Sequence, residues 1–179
     1  MRTMEGSRPA LRLVQGANAS PAEVEWWWFC GHCAAPAPGQ GAPAPGARVC
    51  MSCGLGLLLE TRKDVAPRPK DAFLVIDSSL LIQAMSRHAQ RLLDIAEESA
   101  VNRPVGELLV PADAEPGSAG GFARSIADAA AGTDEGASAV VRPWNTFGVR
   151  MRARIAPCGP PRAALVVLED TQARRLRAV

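Results

Sequence analysis

The sequence has no tyrosine, and aromatic residues make up only 4% of its 179 positions. Any core must therefore be built from Leu, Val and Ile, although a hydrophobic fraction of 47%, much of it alanine, suits a soluble globular protein. There is no charge excess either: the net charge of +2 argues against a whole-chain footprint for nucleic acid or a membrane surface. No apolar run approaches the ~18 residues of a membrane span. The opening MRTMEGSRPALRLVQGANASPAE lacks the apolar stretch of a secretion signal. A cytoplasmic protein without structural disulfides is the expectation. Enzyme motifs are missing as well: there is no GxxxxGK[ST] loop, no HExxH and no GxSxG. Gly39-Gln-Gly41 and Gly54-Leu-Gly56 stop short of a dinucleotide fingerprint, and the acidic pairs Glu97-Glu98 and Asp134-Glu135 read as solvated. These absences predict that the chain is not an enzyme.

What is present begins with cysteine. Four of the five cysteines fall as Cys30-x2-Cys33 and Cys50-x2-Cys53, with 16 residues between the pairs. That spacing suits a four-thiolate metal site, because two residues between thiolates let both sulfurs face one ion while backbone N–H groups turn toward them. Gly54 supplies permissive backbone after the second pair. The segments EVEWWWF and LGLLLE read as short strands flanking the knuckles, and APAPGQGAPAPGA between them cannot hold a helix. The module resembles a zinc ribbon, which implies structural Zn2+ on Cys30, Cys33, Cys50 and Cys53. The tetrapeptide CGHC also resembles the active site of protein disulfide isomerases, so a thiol oxidoreductase is an alternative reading. Against it, no helix can start after Cys33, and the second CxxC would be unexplained. His32 reads as an exposed spacer. Trp26, Trp27 and Trp28 are candidate partner contacts. With Arg48, Arg62, Lys63, Arg68 and Lys70 nearby, they also admit single-stranded nucleic acid.

The chain divides into a flexible leader over 1–22, the cysteine module over 23–60 and a linker over 61–70. A second domain covers 71–170, and a tail covers 171–179. In the second domain, AFLVIDSSLLIQAM reads as two strands about an Asp77-Ser78-Ser79 turn. Ser86 caps a helix carrying Ala89, Leu92, Leu93 and Ala96 at helical spacing. A second helical piece is expected around RPVGELL, and a third in FARSIADAAAG, stopped by Gly132. Strands are expected over Ser138–Pro143, Phe147–Ala156 and Arg162–Asp170. The middle one alternates as if half solvated.

This order, with FLVIDSSLLIQAMSRHAQRLLDI, RPVGELLVPAD and VVLEDTQARRL, resembles a PAS domain over about 100 residues. Asp170 and Thr171 are adjacent where many PAS domains space these two residue types. The resemblance implies an α+β fold, with a PAS-like five-stranded antiparallel sheet and helices on one face, beside the small N-terminal β zinc ribbon. It also implies a sensor and association module, a homodimer, and an output helix starting at residue 171. Val75, Leu92, Ile126, Val141, Met151 and Val167 are candidates for its ligand pocket. Neither flavin nor haem is supported, since the flavin-cysteine context is absent and FARSIADAAAG has no histidine. His88 is expected to be exposed or capping, and Cys158 a bystander thiol. The combined reading is a small regulatory protein in which a PAS sensor is joined to a ribbon that contacts a partner, with transcription machinery as one candidate. The alternative is a nucleic-acid-binding ribbon regulated by its PAS domain.

Overall fold

The computed structural model describes residues 24–39, 41–112, 118–133 and 136–170. The expected leader and output helix lie outside them. In chain order the elements are β1 (Trp26–Cys30), β2 (Leu58–Arg62), β3 (Ala72–Ile76), β4 (Ile82–Met85), α1 (Arg87–Leu93) and α2 (Glu97–Ala100). A 3-10 turn (Val105–Glu107) leads to β5 (Leu109–Pro111), α3 (Ser118–Ala130), β6 (Ala137–Pro143), β7 (Met151–Gly159) and β8 (Ala163–Asp170).

All strand pairs are antiparallel, and five strands run β4-β3-β8-β7-β6 across the main sheet, with β5 on the outer edge of β6. α1 and α3 cover one face. Leu74, Ile76, Met85, Leu93, Ile126 and Val166 meet there in one buried cluster. Ser86 starts α1: its hydroxyl oxygen accepts from Ala89 N (3.2 Å) and Phe73 N (3.0 Å), which ties the helix N-terminus to β3. The α+β fold with a PAS-like sheet and helices on one face is thus as expected.

The opposite face is not open to water. Phe73 and Val75 of β3, Leu165 and Val167 of β8, and Ala156 and Cys158 of β7 form a second buried cluster with Phe29 and Leu59 of the cysteine module. Phe29 and Phe73 meet edge to face, with centroids 5.8 Å apart. β1 pairs with β2, and β2 joins the end of β7 through Glu60↔Gly159 and Thr61↔Cys158. The buried Thr61 hydroxyl donates to Pro157 O at 2.8 Å. The cysteine module therefore shares one sheet with the PAS-like domain and lies over its outer face.

Several expectations change as a result. Residues 61–70 do not form a free linker: Thr61 and Arg62 belong to β2, and Val65 is buried in the second cluster. β7 begins at Met151, after a turn with Gly148 at φ +80°, and is not half solvated along its length. Arg152 is exposed, but Arg154 donates to Asp64 O (2.7 Å) and pairs with Glu169 (2.9 Å), and Ala156 and Cys158 are buried. RPVGELL forms only a 3-10 turn and β5, because Leu109–Pro111 pairs with β6. Leu92 points to solvent; Leu93 takes the buried place on α1.

Candidate metal centre and the groove beside it

The two CxxC segments form opposed turns, one after β1 and one before β2, and the pairing of these strands brings them together. The four Sγ atoms lie within 4.8 Å of one another, with Cys30–Cys53 at 3.7 Å and Cys33–Cys50 at 3.8 Å. A tetrahedral ion with bonds of about 2.3 Å to sulfur sets its ligands about 3.8 Å apart, so the cluster has the size of a four-thiolate metal site. His32 N and Cys33 N each approach Cys30 Sγ at 3.4 Å, and Gly56 N approaches Cys53 Sγ at 3.5 Å. Such N–H groups stabilise thiolate charge.

Two glycines permit this geometry. Gly54 holds φ +69° and donates to Cys50 O at 2.8 Å. Gly56, which the sequence reading did not single out for this role, packs directly on the first knuckle. A Cβ there would collide with Cys30 Sγ and lie 2.8 Å from His32 Cβ.

Burial pushes the Cys30 and Cys33 thiols up. At Cys53 burial also acts upward, but the Gly56 and Leu55 N–H groups and the neighbouring thiols outweigh it and bring the thiol to about 6. Four thiolates this close repel one another, and a divalent cation is the species that would compensate them. Cys158 stands apart: burial pushes its thiol up to about 12.

The aromatic run divides as strand alternation requires. Phe29 is inserted under the sheet, and Trp28 packs beside the cysteines with the Arg48 guanidinium 5.8 Å from its ring. Trp26 and Trp27 remain 43% and 40% exposed, with Lys63 Nζ 5.7 Å from the Trp27 ring. His32 is not the exposed spacer expected. Its side chain is 12% exposed, and Nδ1 lies 3.0 Å from Glu97 Oε2 on α2, while Glu97 Oε1 accepts from Met85 N at 2.8 Å. The first knuckle is thereby tied to the PAS-like domain. A histidine between two cysteines was the only signal for this contact, and its partner lies 65 positions away.

The six candidate pocket residues do not converge. Ile126, Val141 and Met151 lie in the cluster beneath the helices, whereas Val75 and Val167 lie on the outer face toward the cysteine module, and Leu92 is exposed. Residues of opposite parity on one strand face opposite ways. A groove of about 550 Å³ opens between the first knuckle and the outer face of the sheet, bordered by His32, Leu57, Leu59, Val75, Ala84 and Arg162 among others.

No protein-family model matches the sequence, and neither does any curated protein. Solved structures resemble the fold at low identity. The PAS domain of a protein from Colwellia psychrerythraea is 18% identical over 58% of this chain and 88% of that one, with a TM-score of 0.45. The PAS domain of nitrogen regulation protein NR(II) from Vibrio parahaemolyticus is 13% identical over 56% and 88%, at 0.41. The RpfR quorum-sensing receptor PAS domain of Cronobacter turicensis, in complex with BDSF, is 11% identical over 60% and 99%, at 0.46. The fold itself is α+β, an antiparallel sheet with helices on one face, to whose outer face a four-cysteine module is joined.

Proposed function

We propose that this chain is a regulatory, non-enzymatic module in which one structural zinc ion, held by Cys30, Cys33, Cys50 and Cys53, closes a ribbon on the outer face of a PAS-type sensor sheet. The observation that carries this reading is the convergence of four sulfurs to within 4.8 Å. A tetrahedral all-sulfur set favours Zn2+ or iron over harder cations, and four protein ligands leave no open position for metal catalysis. The ribbon presents Trp26 and Trp27 as its partner-contact surface, and the partner class we propose is a protein, with transcription machinery as the candidate. Association of two chains through the PAS sheet would present both ribbons together and add avidity. Metal analysis of the purified chain tests the centre: one zinc per chain is expected, with loss of that zinc in Cys50→Ser. Iron or no metal would overturn it. Sedimentation tests the dimer, and a strict monomer at high concentration removes it.

The exposed Trp26 and Trp27 beside Lys63 favour a second reading, single-stranded nucleic-acid binding. Opposing it, Lys63 is paired with Glu25 at 2.6 Å and Trp28 is half-buried. Titration with single-stranded DNA at low and high salt separates the two readings, since nucleic-acid binding must weaken with salt. A redox role for CGHC is opposed by the full burial of Cys30 and by a turn, not a helix, after it.

A further inference from the structure

The groove between knuckle and sheet is built from both halves of the protein. Leu59 of β2, Val75 of β3, Ala84 of β4 and Ala163 of β8 give it an apolar floor, and Gly31, His32 and Leu57 form its cysteine-side wall. Its size of about 550 Å³ falls within the range of small-molecule sites.

The polar groups at its rim are almost all engaged within the protein. Glu97 is taken by His32 and Met85 N. Asp77 Oδ1 accepts from Ser79 N (2.8 Å) and Leu81 N (3.0 Å), and its Oδ2 accepts from Gln83 Nε2 (2.7 Å). Both carboxylates are therefore spent on internal partners and do not call for a cation. Arg162 differs: this exposed residue lines the groove, and its side chain makes no hydrogen bond or ion pair among the described residues. An apolar floor with one unpaired cation at its margin matches a molecule with an apolar body and one negative end.

We propose that this groove binds a small amphipathic carboxylate, its alkyl or aryl body on Leu59, Val75, Ala84 and Ala163 and its carboxylate on Arg162. The site differs from the helix-covered face, where Leu74, Ile76, Ile126 and Val166 are buried in one cluster. A molecule held here touches the first knuckle and four strands of the sheet at once. Binding therefore tightens metal retention, and metal loss weakens binding by the same factor, by the reciprocity of linked equilibria. The inference rests on the reading that a metal closes the knuckle, because Gly31 and His32 form one wall.

The test uses the full metal-loaded chain, with decanoate and neutral 1-decanol as probes in calorimetric titration and metal content measured on the same sample. Saturable one-to-one binding of decanoate is expected. Arg162→Ala is expected to weaken decanoate about tenfold, as for loss of one charge-assisted contact, while leaving decanol unchanged. Ala84→Phe, which fills the floor from a half-buried position on an edge strand, is expected to abolish binding of both. Decanoate is also expected to slow zinc release to a chromogenic chelator. The proposal is overturned by absent or non-saturating binding, or by Arg162→Ala binding decanoate as well as the parent chain. When the sample in either case retains one metal per chain, the failure lies in the groove and not in the cysteine cluster.

Discussion

Phe29→Ala probes whether the cysteine module and the PAS-like domain are one cooperative unit. Phe29 is fully buried between the module and the sheet, with its ring edge-on to Phe73 at 5.8 Å. Truncating a buried phenylalanine costs about 3–5 kcal/mol through lost transfer energy and the cavity left behind. The aromatic pair supplies roughly 0.5–1.5 kcal/mol of that. A domain of this size is stable by about 5–15 kcal/mol, so the change removes a large share of the total. With a urea m-value of about 2 kcal/mol/M, the midpoint should fall by about 2 M. The assay is urea unfolding of the metal-loaded chain, followed by tryptophan fluorescence and by far-ultraviolet circular dichroism. Fluorescence is weighted toward β1, which holds three of the four tryptophans, while dichroism reports the whole sheet. One transition, shifted equally in both signals, is expected. A shift below about 0.5 M, or a fluorescence transition that moves while dichroism stays, refutes the claim that the outer-face core joins the two parts.

Gly56→Ala should abolish the stoichiometric zinc binding proposed for the cysteine cluster, because its Cβ would lie 2.9 Å from His32 N as well as against Cys30 Sγ. Gly54→Ala meets no atom within 4 Å and strains only its φ of +69°, so it should keep its zinc and lose about 1 kcal/mol; equal metal content in the two variants would contradict this account. Thr61→Val removes the buried hydroxyl bond to Pro157 O and should cost about 1–2 kcal/mol in chemical unfolding. No measurable loss would mean that the β2–β7 junction does not depend on that bond. Cys158, pushed up to about 12 by burial, should resist iodoacetamide at pH 8 in the folded chain, as mapped by mass spectrometry. Its folded pKa is raised above the unfolded one, so its contribution to stability is complete below about pH 9 and is lost as the pH rises toward about 12. Native labelling as fast as in denaturant would refute its burial.

Much of this was legible because it is local. A CxxC knuckle is defined over four residues, and Ser86 caps α1 from three residues before Ala89. The strand runs about Asp77 were equally plain. What failed was the assignment of faces. Val75 and Val167 were grouped with Ile126 as one pocket, although they lie on the other side of the sheet from it. The signal was present in FLVI and AALVVL, which are continuously apolar where a half-solvated strand would alternate. Leu92 and Leu93 are both apolar neighbours on one helix, and spacing alone does not say which one the sheet will take.

The sequence by itself determined the four-sulfur set, the opening hairpin with its capped helix, and the places of α3 and the last three strands, while the apolar runs of β3 and β8 carried a demand for burial on both faces. It did so because thiolate spacing, capping and period are properties of a few consecutive residues. Tertiary structure decided what covers the second face. Pairing of β2 with the end of β7, the Phe29–Phe73 contact and the His32–Glu97 bond all join residues more than 40 positions apart. An apolar run requires a partner surface but does not name it, because the hydrophobic effect is non-directional. Only the folded chain chose the cysteine module for that surface and left a groove at the seam.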